Sequence, residues 1–158
     1  MVLSKQLGVF LNFVHNKFKQ SVNEAFEKGG YDITAEQFLL LDTLWTEGPL
    51  SQQQIADVMM KDKNSVVKLV DSLENRKLVK RESNSKDRRQ NIIKVTAKAN
   101  KLQDDVTNLA LESVAKITDG IPEEEIEVFI KVLDVMAKNM DDKVDLIEHA
   151  RKFPTKRP

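Results

Sequence analysis

The sequence lacks cysteine entirely, and it is poor in glycine and in aromatic residues. Its 158 residues include no Cys, 5 Gly and only 6% aromatic side chains. Without cysteine the chain has no disulfide, no thiolate metal site and no cysteine nucleophile, and a reducing, intracellular location fits. Low glycine and aromatic content, together with 32% charged residues, favours long helices with solvated faces over a sheet-rich fold.

Long apolar runs are missing as well. No stretch approaches the roughly 18 consecutive apolar residues of a membrane span. The first residues, Met1-Val-Leu-Ser-Lys-Gln-Leu-Gly8, lack the basic start, apolar run and cleavage site of a signal peptide. We therefore expect a soluble, cytoplasmic protein with no membrane partner, and the length corresponds to about one domain.

The net charge is zero only when it is averaged over the whole chain. The chain holds 25 basic and 25 acidic residues, but residues 61–98 hold twelve Lys/Arg against five Asp/Glu, a net of +7. Residues 119–148 hold three against ten, a net of −7. Because a phosphate backbone responds to the local charge and not to the average, the basic segment is the first candidate for a nucleic-acid interface.

The first part of the chain has the periodicity of helices. Apolar residues at steps of three and four between Leu3 and Phe26 predict a helix that ends at Gly29-Gly30. Further apolar residues at Val9, Leu11 and Phe13 widen the apolar stripe, which indicates a second buried face such as a subunit interface.

Three N-terminal capping patterns predict the next helices. Thr34-Ala-Glu-Gln37 and Ser51-Gln-Gln-Gln54 are capping boxes, in which two side chains satisfy free N–H groups at a helix start. Asp62 is suited to cap a fourth helix, because its carboxylate accepts amide hydrogens at the positive end of the helix dipole. Met60-Lys61 would then form the turn between the third and fourth helices.

A β-hairpin is predicted next. Leu78-Val-Lys-Arg81 and Ile92-Ile-Lys-Val95 are rich in β-forming residues and enclose a polar segment of ten residues. No other strand signal is evident in the sequence.

Helical periodicity returns after the hairpin. It begins at Thr96, breaks at Asp119-Gly120 and restarts after Pro122, and it predicts one long last helix through Ile147. Residues 151–158 are basic and contain two prolines, so we expect a flexible tail. The predicted fold is mainly α with a small β-hairpin wing, in a single domain over residues 1–150.

Two short helices joined by a tight turn and followed by a hairpin indicate a winged helix-turn-helix. The second helix of such a pair fits the major groove of double-stranded DNA, and its exposed first turns reach base edges. The candidate residues for sequence recognition are Lys63, Asn64, Ser65 and Lys68.

The tip of the hairpin supplies a second candidate contact. Lys86, Asp87, Arg88 and Arg89 lie there, and arginine suits the narrow, strongly negative minor groove because its planar cation is weakly hydrated. Asp87 cancels one charge, so we interpret it as a brace that fixes the direction of an arginine side chain.

These segments resemble the MarR family of bacterial transcription regulators. The resemblance lies in Thr34-Ala-Glu-Gln-Phe-Leu-Leu-Leu41, Gly48-Pro-Leu-Ser-Gln-Gln-Gln-Ile-Ala56, Asp62-Lys-Asn-Ser-Val-Val-Lys-Leu-Val-Asp-Ser-Leu-Glu74, Leu78-Val79, and Asp87-Arg-Arg89 through Val95-Thr96. It covers nearly the entire chain. Met59-Met60-Lys61 departs from the family in replacing a turn that more usually contains glycine, and Lys63 and Lys68 stand where arginine is frequent.

The resemblance implies a homodimer whose two winged modules bind a pseudo-palindromic operator, most commonly as a repressor. The dimer would be held by helices in residues 1–30 and 97–150, with residues 34–96 as the DNA-binding lobe. The resemblance also assigns phosphate contacts to Ser51 and Gln52. Many members release DNA when a small, often aromatic acid binds between the dimer helices and the DNA-binding lobe.

An effector pocket is the most open of these expectations. His15, Phe38 and Trp45 are candidates to line it, although ordinary core packing is the favoured explanation for the two aromatic residues. The two histidines, His15 and His149, are too few for a metal cluster, and we expect neither metal nor cofactor.

Two other classes of protein remain as alternatives. A winged helix also serves as a protein-interaction module without specific DNA binding, and the +7 segment favours DNA over that reading. An enzyme is the weakest alternative, because no Gly-rich phosphate loop, Gly-x-Ser-x-Gly elbow or His-Glu-x-x-His motif occurs.

Overall fold

The structure, a computed structural model, describes residues 2–153 of the chain, and the side chains of residues 5–153. The chain divides into two compact units, residues 1–117 and 118–158. The elements of the first unit are α1 (Val2–Lys28), α2 (Ala35–Glu47), β1 (Leu50–Ser51), α3 (Gln52–Met59), α4 (Lys63–Asn75), β2 (Val79–Ser83), β3 (Asn91–Val95), α5 (Ala97–Asn100) and α6 (Gln103–Ile117). The second unit contains α7 (Glu123–Met140) and α8 (Leu146–Lys152).

The predicted capping residues begin their helices. The Thr34 hydroxyl accepts from the Gln37 backbone N–H at 3.2 Å, and the Gln37 side chain accepts from the Thr34 N–H at 3.1 Å. Ser51 and Gln54 make the same reciprocal pair at the start of α3, at 3.2 and 2.9 Å. The expected starts of α2 and α3 are confirmed, because each pair satisfies two N–H groups that the helix itself leaves free.

The turn between α3 and α4 is made without glycine. Met60 adopts the left-handed conformation with φ 51° and ψ 43°, and the Lys61 N–H donates to the Ala56 carbonyl at 2.9 Å. A left-handed residue at the end of a helix turns the chain sharply, which is why this position favours glycine in general. Met60 adopts this strained conformation although it is not a glycine, and its side chain is half exposed.

The core of the first unit lies where α2, α3, α4 and the sheet meet. Phe26 from α1 packs against Phe38 from α2, with ring centroids 5.4 Å apart. The largest fully buried side chains are Phe26, Leu40, Leu41, Ile55, Leu73, Ile93, Val66, Val70, Val79 and Val106. Every element from α1 to α6 except β1 and α5 contributes to this set, so the lobe forms around one apolar centre.

In the described residues the sheet has three strands, one more than the sequence pattern predicts. The strand order is β1-β3-β2, with both pairs antiparallel. Leu50 pairs with Ile93 and Ser51 with Ile92, so the short segment before α3 forms the third strand. Two residues are too few for any periodicity, and the pairing depends on a partner some forty positions away, so no local pattern indicates β1.

Among the described side chains of α1, the fully buried ones lie near its C-terminal end. Val22 and Phe26 are 4% and 0% exposed. The apolar side chains nearer the start of the helix are exposed, namely Leu7, Val9, Phe10, Phe13, Val14 and Phe18. The predicted wide apolar stripe is therefore present, and most of its described side chains are exposed.

The helix predicted from Thr96 to Ile117 is interrupted. Thr96 caps the short α5 by accepting from the Ala99 N–H at 3.2 Å, and the Leu102 N–H then bonds the Ala99 carbonyl at 3.1 Å in a tighter turn. This tight turn separates α5 from α6. The periodicity continues across the turn, which explains why the sequence predicted one helix.

The prediction of one long last helix is wrong. In the second unit α7 ends at Met140, and the buried Asp134 side chain accepts from the Leu146 N–H at 2.8 Å, at the start of α8. Lys138 contacts both Asp134 and Asp145, at 2.8 and 2.7 Å. These hydrogen bonds lower the pKa of Asp134 and raise that of Lys138, the largest cause in each case being the bond between the two. The corner is thus fixed by contacts that helical periodicity does not encode.

Part of the predicted flexible tail is helical. Arg151 and Lys152 belong to α8, whose last turn complements the helix dipole with basic residues. Residues 154–158, the remainder of that tail, lie outside the described residues.

Candidate nucleic-acid interface

The first turns of α4 present three of the four predicted recognition residues to solvent. Lys63, Asn64 and Lys68 are exposed, whereas Val66 on the opposite side of the helix is fully buried. Burial of Val66, Val70 and Leu73 in the core fixes which face of α4 points outward. The exposed face carries two cations and one amide, a set able to contact bases and phosphates.

Ser65 is engaged within the protein. Its hydroxyl donates to Asp62 Oδ2 at 2.6 Å, and its backbone N–H donates to Asp62 Oδ1 at 2.8 Å. These two bonds, the hydroxyl bond first, lower the pKa of the Asp62 carboxyl below its ordinary value. The residue therefore supports the predicted N-cap of α4 in addition to any contact with DNA.

The C-terminal half of α4 is fastened to α2 by a buried amide. Gln37 is 8% exposed, and its Nε2 donates to the Ser72 hydroxyl at 2.9 Å while its Oε1 accepts from Arg76 at 3.0 Å. A buried amide with satisfied donors and acceptors favours a single arrangement of the two helices, because leaving them unpaired would be costly.

The start of α3 offers one more reachable side chain. Ser51 is 7% exposed and its hydroxyl already caps the helix, whereas Gln52 is half-buried and lies at the first helical position. The geometry therefore supports Gln52 as a phosphate donor more strongly than the Ser51 side chain.

The wing is a hairpin with a short, internally bonded loop. The Asn84 N–H donates to the Gln90 carbonyl at 3.0 Å, which closes the loop between β2 and β3. The Lys86 N–H donates to the Asn84 side chain, and the Arg89 N–H donates to Asp87 Oδ1, both at 3.0 Å. Asp87 thus braces the loop backbone, and among the described side chains no ion pair joins it to an arginine, which corrects that interpretation.

Cations in the basic segment differ in whether they are already paired. Five of the twelve contact carboxylates, and these are Lys61, Arg76, Lys80, Arg81 and Lys94. Within the described range, no ion pair involves the exposed cations of α4 or of the wing tip, which are Lys63, Lys68, Lys86, Arg88 and Arg89. Of the seven cations without an ion pair in this segment, five therefore lie on the predicted recognition helix and wing tip, and the other two are Lys77 and Lys98.

A small cleft brings these elements together. It is lined by residues from the starts of α3 and α4 and from the end of the wing loop, namely Ser51, Gln52, Gln53, Lys63, Arg89, Gln90 and Asn91. The structure therefore places the predicted phosphate-contact residues beside one recognition-helix cation and one wing arginine. The sequence did not indicate Gln53, Gln90 or Asn91, because adjacency to this cleft depends on the fold.

Arg81 is the other polar residue whose role was missed. Its guanidinium pairs with Asp71 and Glu74 on α4 and donates to the Gln52 amide oxygen at 3.3 Å. A signal exists in the sequence, because Arg81 follows the buried Val79 at the two-residue spacing that puts both on one face of a strand. A cation on that face requires partners across the interface.

The three candidate effector residues lie in different surroundings in the single chain. Phe38 is buried against Phe26, and the half-buried Trp45 donates from Nε1 to the Asn100 side chain at 3.1 Å. His15 is exposed on α1. Over residues 5–153, no hydrogen bond or ring contact joins these three side chains to one another.

Two further properties bear on the class of protein. Among the described side chains, no group of three or more His, Cys, Asp or Glu is arranged to hold a metal ion. None of the helices in the described range combines the length and apolar character needed to cross a membrane.

Comparison with known proteins finds one consistent relationship. The model of the MarR family matches residues 33–90. The chain is 28% identical over 120 residues to the HTH-type transcriptional regulator MgrA of Staphylococcus aureus, covering 76% of this chain and 79% of MgrA.

Solved structures agree with this relationship. The S. aureus MepR–DNA complex superimposes with a TM-score of 0.78 at 26% identity, covering 85% of this chain and 98% of MepR. CouR of Rhodococcus jostii, bound to p-coumaroyl-CoA, superimposes with a TM-score of 0.67 at 25% identity, covering 85% and 94% of the two chains.

Proposed function

Because this chain belongs to the MarR family of winged helix-turn-helix regulators, a family of transcription regulators and not of enzymes, we propose how it acts on DNA. It is a DNA-binding transcription regulator, and the proposal is that it represses as a homodimer on a pseudo-palindromic operator. The observation that carries this proposal is the concentration of exposed cations without ion pairs on α4 and the wing, of which Lys63 and Arg89 line one cleft.

Each part of the interface has a proposed role. The start of α4 enters the major groove, where Asn64 bonds a base and Lys63 and Lys68 contact bases or phosphates. Arg88 and Arg89 at the wing tip reach the adjacent minor groove, with Lys86 near the backbone. Gln52 donates to a phosphate, while Ser51 and Ser65 mainly hold the helix starts through their hydrogen bonds.

The homodimer is supported by apolar surface that a single chain leaves uncovered. In the first unit, α1 exposes Phe10 and Phe13 by 55% and 59%. In the second unit, α7 separately exposes Val128, Phe129, Ile130, Val132, Val135 and Met140. Contiguous apolar faces of this kind mark interaction surfaces. Residues 1–30 and 97–150 are therefore the proposed dimerisation segments, and residues 34–96 the DNA-binding lobe.

The second part of the proposal is that a small molecule controls DNA binding. CouR, a structural relative, is bound to p-coumaroyl-CoA. We propose that this chain also releases its operator on binding a small aromatic or phenolic compound. The place of action is the cytoplasm, where a regulator of this class meets its DNA.

Selection of bound duplexes from a random DNA pool tests the function. We expect a pseudo-palindromic sequence to be enriched, and its affinity to fall steeply with salt, because each neutralised phosphate contributes a slope of about −0.9 in log K against log[salt]. Repeating the selection with aromatic acids present tests the effector. Absence of sequence preference at near-physiological salt would contradict the proposal and favour a protein-interaction module.

A further inference from the structure

Arg81 connects three elements of the DNA-binding lobe. It lies on wing strand β2, and its guanidinium pairs with Asp71 and Glu74 on recognition helix α4. It also donates to the Gln52 amide oxygen at the start of α3, at 3.3 Å. Its own backbone N–H donates to Glu74 Oε1 at 3.1 Å, so both main chain and side chain of this residue hold α4.

The surroundings of Arg81 make it a poor ligand for DNA. Its side chain is only 21% exposed, and it faces two carboxylates, so the cluster of three groups carries a net charge of −1. Burial works against the charged guanidinium, but hydrogen bonds to Asp71 and Glu74 outweigh it and raise the pKa of Arg81 above its ordinary value. A phosphate would have to displace partners that already satisfy the cation.

The contact with Gln52 determines what that side chain offers. An amide has one oxygen that accepts and one nitrogen that donates. Because the oxygen of Gln52 receives the Arg81 guanidinium, the NH₂ group is left to donate elsewhere. Gln52 lines the cleft shared with Lys63 and Arg89, where a donor suits an anion such as a phosphodiester.

We propose that Arg81 is a positioning residue that fixes recognition helix α4, wing strand β2 and the Gln52 amide relative to one another. It thereby sets the sequence preference of the protein without contacting DNA. This inference rests on the proposed function, since sequence preference has meaning only for a specific DNA-binding protein. A planar fork that spans three elements is not reproduced by the single ammonium of lysine.

The test measures the affinities of the wild-type protein and of Arg81→Lys for two duplexes of equal length, one recovered by selection and one scrambled. The expected result is a loss of at least about tenfold in the ratio of specific to nonspecific affinity, with the salt slope unchanged. Arg89→Ala is the contrasting variant, because loss of a direct contact should reduce the salt slope. If Arg81→Lys weakens both duplexes equally or lowers the slope, Arg81 contacts phosphate and the inference is overturned.

A second variant separates positioning from charge and retains the arginine. Asp71→Asn removes a negative charge near the interface, so electrostatics alone would tighten binding to both duplexes. Positioning predicts instead that the specific-to-nonspecific ratio falls. Asp57→Asn on α3 is the matched control, because Asp57 is exposed and hydrogen bonds only Gln53 among the described side chains.

The outcomes distinguish a failure of the proposed function from a failure of the inference about Arg81. A wild-type protein with no preference between the duplexes overturns the proposed function and this inference with it. A wild-type preference that survives both Arg81→Lys and Asp71→Asn overturns the inference alone. A preference lost in both variants and kept in Asp57→Asn supports it.

Discussion

At the scale of single residues, the decisive property of a polar side chain is whether it already forms hydrogen bonds or ion pairs within the protein. Asn64 is exposed at the second position of α4, whereas its neighbour Ser65 is committed to Asp62 by two hydrogen bonds. Of the two, Asn64 is therefore the better candidate for a base contact. The side-chain amide can donate one hydrogen bond to adenine and accept another from it. No other base presents this pair of groups in the same arrangement in the major groove.

Asn64→Ala is expected to weaken binding to the selected duplex by about 1–3 kcal/mol and to leave nonspecific binding nearly unchanged. Fluorescence anisotropy with selected and scrambled duplexes measures both affinities. Asn75→Ala is the matched control, since Asn75 is exposed at the far end of the same helix. Equal weakening of the two duplexes would show that Asn64 reads no base.

The wing contains a carboxylate with an unusually low pKa. Glu82 lies between Lys80 and Lys94, at 2.7 and 2.5 Å, and hydrogen bonds from Lys80 first and Lys94 second lower its pKa from 4.5 to about 2. Since the folded-state pKa lies below the unfolded value, this group stabilises the wing above about pH 4.5. The contribution is lost as the pH falls from 4.5 towards 2.

The Glu82 carboxyl carbon should therefore titrate near pH 2 in an NMR experiment on the folded protein, unlike a free glutamate. Lys80→Gln should move the midpoint upward, because it removes the hydrogen bond that lowers the pKa of Glu82 most. Lys98→Gln should leave it in place, as Lys98 bonds the Arg76 carbonyl instead. An ordinary midpoint in the wild-type protein would mean that the two lysines do not hold Glu82 in solution.

At the scale of elements, the turn of the helix-turn-helix stores backbone strain. Met60 has φ 51°, a conformation that costs an L-residue about 1–2 kcal/mol and glycine almost nothing. Its side chain is 49% exposed, so little packing would be lost on removing it. The greater freedom of glycine in the unfolded chain offsets part of the gain.

Met60→Gly is therefore expected to raise the free energy of unfolding by about 0.5–1 kcal/mol, measured by urea denaturation. Gly48→Ala is the reciprocal control, because Gly48 has φ 83° with open space around its α-carbon, and we expect it to destabilise the protein. A loss of stability in Met60→Gly would show that Met60 packs against the lobe more strongly than its exposure suggests.

At the scale of the whole molecule, exposed apolar surface predicts association. Phe10 and Phe13 on α1 stand more than half exposed in the single chain. Burying an aromatic side chain stabilises an interface by about 1.5–3 kcal/mol, so leaving several in water would be unfavourable. A second copy of the chain is the proposed cover, and two lobes held together would bind two half-sites.

Phe13→Asp is expected to convert a dimer into monomers, because it places a charge within the proposed interface. Analytical ultracentrifugation measures the mass, and operator affinity should fall with it as each lobe binds a half-site alone. Asn16→Asp adds the same charge at an exposed polar position of the same helix and should leave the dimer intact. A wild-type monomer at micromolar concentration would contradict the proposal.

Features set by short stretches of sequence were predictable. Capping boxes at Thr34 and Ser51 and the cap at Asp62 locate three helix starts, because donor and acceptor lie within three residues of each other. The apolar period then fixes which face of α4 is buried, and so which residues are exposed. The sequence by itself therefore determined the winged helix-turn-helix and the residues proposed to meet DNA.

Features that depend on distant partners required the tertiary structure. Strand β1 exists only because Leu50 and Ser51 meet β3, and the break after α7 depends on Asp134 bonding the Leu146 N–H. The structure alone also decided which cations are paired, and it gave Arg81 its contacts with α3 and α4. The reason is that a hydrogen bond or ion pair depends on proximity in space, which local periodicity and capping do not specify.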